Sequence, residues 1–219
     1  VDKTGSIIIV SDESYPVYSR PLISKYLAKE CSVEEILFRP ADFYNQNGIK
    51  CLLGGKVQGL VLDSHIAELE SGEEIVWERL LLASGGVPII PKIEGMNKEG
   101  VFTFTTLDDA KTIGSYLENA DKAVVIGGGL IGISATEALK KRGIEVTVVE
   151  MKERVLNIIL DEPASLIVEK TLNQAGVRVI TGTDHYKGGK RISPLIPFEY
   201  RAVYRCNITL GKDVFIGSN

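Results

Sequence analysis

The rhythm of hydrophobic and polar positions changes near Thr106. After it, apolar runs alternate with amphipathic stretches. TLDDAKTIGSYLENA begins with Thr106 as a helix N-cap and acids in the first turn, then carries apolar residues at helical spacing. KAVVIGGG is a continuous apolar run, as expected of a strand buried on both faces. LIGISATEALKKRG predicts a helix ended by Gly143. IEVTVVE predicts the next strand, DEPASLIVEKTLNQAG a helix ended by Gly176, and VRVITG a further strand. Residues 106 to 182 therefore read α-β-α-β-α-β, a parallel sheet with helical crossovers.

Before Thr106 the apolar runs are short and broken by turn residues. SIIIV predicts a buried strand. SDESYPVYSRP interrupts regular structure with two prolines, and LISKYLAKE predicts a short helix. Asn47-Gly48 is a turn signal followed by an apolar run. From Lys50 to Trp77, short apolar runs and turn residues alternate, predicting an antiparallel hairpin or three-stranded meander. ERLLLASGG predicts a buried strand ending in small residues, and VPIIPKIEG a proline-spaced linker.

Composition narrows the classes. With 219 residues, 44% of them apolar, the chain can form one large domain or two small ones around a core. A formal charge of -4 and scattered Lys and Arg argue against a nucleic-acid surface. The run Lys140, Lys141, Arg142 fits a solvated helix C-terminus. Cys31, Cys51 and Cys206 are odd in number and lack C-x-x-C spacing, which argues against a disulfide framework or zinc site. No apolar run approaches the roughly 18 residues of a membrane span, and the opening VDKTGSIIIV is no signal peptide. The expectation is a soluble chain in a reducing cytoplasm, without metal, membrane or nucleic-acid partner. His65 and His185 form no constellation with a Ser or Cys. The pairs Glu34-Glu35, Glu73-Glu74 and Asp108-Asp109 read as solvated caps and turns.

Candidate chemistry lies at the first strand-helix junction after Thr106. Gly127, Gly129 and Gly132 form G-x-G-x-x-G directly after a predicted strand and at the start of a predicted helix. Gly127 permits the tight turn, Gly129 lets a pyrophosphate approach the backbone, and Gly132 lets helix and strand pack closely. Gly128, Leu130 and Ile131 complete the turn whose backbone N–H groups face the phosphates. Glu150 closes the second strand, 23 residues after Gly127. An acid there accepts hydrogen bonds from ribose hydroxyls and repels a 2′-phosphate, favouring NADH over NADPH. Lys152 is the nearby residue that argues the other way.

With SIIIVSDE, YPVYSRPLISKYL, FRPADFYNQNGIKCLLGGKVQGL, LLLASGGVP, FTFTTLDDA and ERVLNIILDEPAS placed around this unit, residues 3 to 185 resemble the FAD- and NAD(P)H-dependent pyridine nucleotide oxidoreductases. The likeness is to the rubredoxin, ferredoxin and nitrite reductase-type NADH:flavin reductases. It implies an α/β fold: a Rossmann-like NAD-binding domain nested in a partial FAD-binding domain with a small antiparallel meander. The implied boundaries are 1–104 for the partial FAD domain, 105–187 for the NAD domain and 188–219 for an atypical tail.

The resemblance also assigns residues. Asp12 or Glu13 would take the FAD ribose, Lys25 would lie near the isoalloxazine ring as the catalytic candidate, and Arg20 near the cofactor. Val57 would offer its backbone to the adenine. Ala83, Ser84 and Gly85 stand in the family's A-T-G-x-x-P turn, with Ser84 in place of Thr.

The chain departs from the family in several places. A ribose acid lies about 20 residues beyond its glycine motif, and only 11 residues precede Asp12. With Val rather than Met at position 1, this predicts a fragment of a longer protein. The strand and Gly-Asp pair that usually complete the FAD site do not follow Gly182. NITLGKDVFIGSN instead weakly resembles one coil of a hexapeptide-repeat acyltransferase, against an irregular hairpin or scrambled tail. Ser134 replaces the Glu that can pair with the flavin lysine in the ferredoxin-reductase-like branch. YPVYSRPLIS holds no Cys, unlike the family's disulfide reductases and peroxidases.

The reading implied is an NADH-dependent FAD flavoprotein oxidoreductase, passing hydride from NADH to flavin and electrons onward. The acceptor would be a rubredoxin, a ferredoxin, a partner redox domain or a small molecule, with room for a homodimer. A second reading is a non-catalytic NAD(H)-binding module without flavin. A remote third is a fusion with a hexapeptide-repeat acyltransferase.

Overall fold

The structure is a computed structural model that describes residues 5–88, 90 and 96–182, and the backbone of 213–217. The chain divides into two compact units, Val1–Ser19 with Val33–Gly86, and Arg20–Ser32 with Val87–Asn219. Residues 20–32, read from sequence with the flavin part of the chain, thus pack in the second unit.

In the first unit, β1 (Ile7–Ser11) pairs in parallel with β2 (Ile49–Leu53). The expected meander is β3 (Val57–Val61), β4 (Ile66–Leu69) and β5 (Glu74–Val76), antiparallel in that order. The short helices α2 (Val33–Ile36) and α3 (Phe43–Gln46) lie between β1 and β2 in sequence. Two expectations fail here. SIIIV forms β1, but Ile7 is 56% exposed, so the strand is not buried. ERLLLASGG is not a strand, and Leu81 and Leu82 are 87% and 69% exposed. A strand needs a ladder partner, and among the described residues β1 and β2 pair only with each other.

The second unit opens with α1 (Ile23–Leu27) and continues as β6 (Val101–Thr103), α4 (Leu107–Tyr116), β7 (Lys122–Ile126), α5 (Leu130–Lys141), β8 (Glu145–Val149), α6 (Glu162–Gln174), β9 (Arg178–Ile180) and β10 (Asp213–Gly217). The sheet is parallel with order β6-β10-β7-β8-β9. Its centre is dry: Ala123, Val125, Val146 and Val148 are essentially inaccessible, as continuous apolar strands should be.

Local signals fix the helices. Thr106 Oγ1 accepts from Asp109 N–H at 3.1 Å, and Asp109 Oδ2 accepts from Thr106 N–H at 3.0 Å, a capping box for α4. Asp161 caps α6 through Ala164 N–H at 3.0 Å. Gly143 and Gly176 adopt positive φ, +81° and +74°, just past α5 and α6.

β10 corrects the reading of the tail. Asp213–Gly217 lies in register with Lys122–Ile126 on one side and reaches β6 on the other. This stretch is a sheet strand, neither a hexapeptide coil nor a hairpin. Residues 188–212 lie outside the described residues.

Non-local contacts tie α1 into the second unit. Arg142 donates to the Leu27 carbonyl at 3.0 Å. Lys141 Nζ stands 2.7 Å from both Glu30 and Glu137. Arg20 donates to the Thr105 carbonyl at 2.7 Å.

Candidate functional site

β7 runs into the glycine turn at its C-terminal end, where parallel sheets bind ligands. Gly127 has φ +104°, a conformation that a residue with Cβ rarely adopts, and its N–H donates to the Val149 carbonyl at 2.8 Å. Gly129 is the N-cap of α5 in an extended conformation (φ -78°, ψ -177°). With no side chain, it leaves the first-turn N–H groups of α5 uncapped by itself, at the positive end of the helix dipole. Leu130, at the first helical position, is 61% exposed. Gly132 is buried, as close packing of helix on strand requires.

Glu150 follows β8 and is 8% exposed. Its Oε2 accepts from Gly128 N–H at 2.6 Å, and its Oε1 from Lys152 N–H at 2.8 Å. The acid therefore shapes the glycine turn through both carboxylate oxygens. A phosphate beside it would meet its negative charge.

Gly128 has a packing reason that the motif alone does not state. A Cβ built there would lie 2.9 Å from Val155 Cγ1 and 3.2 Å from Glu150 Oε2. Leu156 N–H donates to the Gly128 carbonyl at 2.8 Å. Sequence reasoning missed Val155 and Leu156. The available signal was a glycine at a motif position that tolerates any residue.

The other candidates fall in separate places. In the first unit, Gly54 N–H donates to the Glu13 carbonyl at 3.0 Å and Gly55 N–H to the Ser11 carbonyl at 2.9 Å. This sets Asp12 and Glu13 against the turn that leads into Val57, the first residue of β3. Lys56 is held above its ordinary value of 10.5 by Glu70 first, with a smaller part from Asp12. Tyr18 donates its hydroxyl to Glu13, whereas Asp12 is exposed. Ala83, Ser84 and Gly85 are exposed, and Gly85 has φ +70°, as a glycine turn demands. In the second unit, Lys25 is exposed on α1.

His65 stacks on Trp77 with centroids 4.4 Å apart. Cys31 and Cys51 are half-buried and not disulfide-bonded. Among the described residues there is no cluster of three His, Cys, Asp or Glu side chains suited to a metal ion, and no helix long and apolar enough to cross a membrane. His185 and Cys206 lie outside the described residues.

Comparison with known proteins bears on this arrangement. The family model for pyridine nucleotide-disulphide oxidoreductases matches residues 2–191. The epsilon subunit of an NADH-dependent phenylglyoxylate dehydrogenase from Aromatoleum evansii is 33% identical over 182 residues, covering 83% of this chain and 43% of that protein. The NADH-rubredoxin oxidoreductase of Clostridium acetobutylicum is 30% identical over 190 residues, covering 87% and 50%. Among solved structures, the NAD-dependent persulfide reductase of A. fulgidus has a TM-score of 0.82 at 29% identity, over 100% of this chain and 42% of that one. The chain thus spans half or less of the length of these relatives.

Proposed function

The chain belongs to the pyridine nucleotide-disulphide oxidoreductase family, and on that premise we propose that it is the NADH-binding part, with some of the flavin-binding part, of an NADH-dependent flavoprotein oxidoreductase. The family's members are FAD- and NADH-dependent oxidoreductases. The observation that carries the proposal is the closed glycine turn: Gly127 in its glycine-only conformation, Gly128 bonded to Glu150 at 2.6 Å, and a bare glycine N-cap on α5.

These residues fit NAD(H). The first-turn N–H groups of α5 would receive the pyrophosphate, Leu130 and Ile131 flanking it. Glu150 would accept from the adenosine ribose and disfavour a 2′-phosphate, giving preference for NADH over NADPH. Bound there, NADH supplies a hydride for the flavin to accept. The chain's own contribution is orientation of the dinucleotide at a fixed backbone cradle.

For FAD the fit is partial. Asp12 or Glu13, with Val57, would serve its ribose and adenine, and Ala83, Ser84 and Gly85 would form a turn beside it. Arg20 and Lys25 are the flavin-side candidates of the resemblance. The 219 residues carry one G-x-G-x-x-G, at 127–132, and no second one for the FAD pyrophosphate. The acceptor class is a small redox protein or partner redox domain, as the name of the rubredoxin reductase implies for that relative.

A second reading is an NAD(H)-binding module without flavin. Visible absorption of the purified chain with added FAD, before and after NADH without oxygen, separates the two. Retained flavin that bleaches with NADH supports the oxidoreductase. NADH binding without retained flavin supports the module. Failure to bind NADH refutes both.

A further inference from the structure

Val155, which underlies Gly128, sits in a stretch without regular structure. Residues 151–160 form turns and bends, with neither helix nor strand to fix the backbone. Yet Val155 is fully buried and Leu156 is held at φ +52°. The restraint comes from α6. Ser165 Oγ donates to the Val155 carbonyl at 2.9 Å, and Glu169 Oε1 accepts from the Val155 N–H at 3.1 Å. Both polar groups of one residue are thus gripped by side chains one helical turn apart.

The composition of α6 points the same way. Its one buried residue is Ser165, while the adjacent Leu166 and Ile167 are 54% and 67% exposed. Packing alone would bury the aliphatic side chains and expose the serine. A serine buried in their place is explained by the bond that it makes.

We propose that Ser165 and Glu169 are positioning residues for the dinucleotide: two struts that hold Val155 under Gly128 and so set where the N–H groups of the cradle stand. The chain of contact runs from α6 to Val155 and Leu156, then to Gly128 through the 2.8 Å Leu156 bond, and on to the start of α5. Neither strut touches the nucleotide. The inference rests on the NAD(H) reading of the 127–132 turn.

The test is titration of the full chain with NADH, followed by nicotinamide fluorescence. Ser165→Ala and Glu169→Leu should each raise the Kd by about fivefold, the equivalent of one net hydrogen bond. Glu169→Gln keeps a carbonyl acceptor and should stay within about twofold of the parent. Equal affinity in all three variants overturns the proposal.

Amide exchange in the unmodified chain gives a second readout that needs no variant to fold. The Val155 and Leu156 amides should exchange far more slowly than their irregular setting suggests, and more slowly again with NADH. Indifference of those amides to bound NADH overturns the struts while leaving the nucleotide site intact. Failure of the parent chain to bind NADH, with these amides protected, refutes the nucleotide reading itself and the proposal with it.

Discussion

Gly128→Ala isolates the close approach beneath the glycine turn. Gly128 is not among the positive-φ residues, so alanine there meets a contact and not a forbidden backbone. Its Cβ would stand 2.9 Å from Val155 Cγ1, well inside the roughly 3.5–4.0 Å of ordinary carbon contact. Val155 cannot retreat easily, because Ser165 and Glu169 hold both ends of its peptide unit. The turn must move instead. That motion stretches the Glu150 bond at 2.6 Å and the Leu156 bond at 2.8 Å. Overpacking costs about 1–3 kcal/mol, and weakening two hydrogen bonds adds about 1 kcal/mol. The expected loss is about 2–4 kcal/mol in denaturant unfolding.

The double mutant decides whether Val155 is the cause. Val155→Ala alone should cost about 2 kcal/mol for the lost methyls and cavity. Combined with Gly128→Ala, it removes the 2.9 Å contact and leaves only the milder 3.2 Å approaches to the Cβ at position 155 and to Glu150 Oε2. The pair should then be no less stable than the worse single variant, a coupling of about 2 kcal/mol. Additivity within about 0.5 kcal/mol would refute the reasoning.

Other consequences can be measured alongside it. Glu150→Gln places an NH2 against either the Gly128 or the Lys152 N–H, donor facing donor; stability should fall by about 1–3 kcal/mol, and titration with both nucleotides should show a reduced NADH preference, an unchanged ratio counting against the assigned role. Thr106→Ala removes the side-chain acceptor of the α4 capping box and should cost about 1 kcal/mol with NADH affinity unchanged, whereas Thr106→Ser should restore the stability. Lys141 is held above its ordinary value of 10.5, chiefly by Glu137 and then by Glu30. A raised value means that the pairing is whole below 10.5 and is lost as pH climbs through the raised value. The melting-temperature difference between the parent and Lys141→Met should therefore be present at neutral pH and close in strong alkali.

The alternating half of the chain was legible because each element there carries its own signal. Thr106 and Asp109 declare the start of α4, Gly143 and Gly176 the ends of α5 and α6, and the strands β7 and β8 are mostly apolar with buried centres. The glycine turn and Glu150 were legible for the same reason. What escaped was decided by partners far away in sequence. LLLAS has the composition of a buried strand but, among the described residues, no neighbouring strand to pair with. Segment 20–32 packs in the second unit through Leu27, Glu30 and Arg142, which show no pattern until they meet. Val155 looks like any valine in a loop, and only the position of Ser165 on α6 reveals why it is held.

β10 bears on the order in which the second unit can be made. On a ribosome, β7, β8 and β9 are complete once Ile180 has emerged, yet the slot between β6 and β7 stays open until Asp213–Gly217 arrives and pairs with Lys122–Ile126. Closing so long a loop is slow. In the interval two strand edges face one gap, a template that any extended segment of a neighbouring nascent chain can enter. The arrival of β10 is thus the step that removes this hazard, and chains stalled after Gly182 would be the ones for a chaperone to hold.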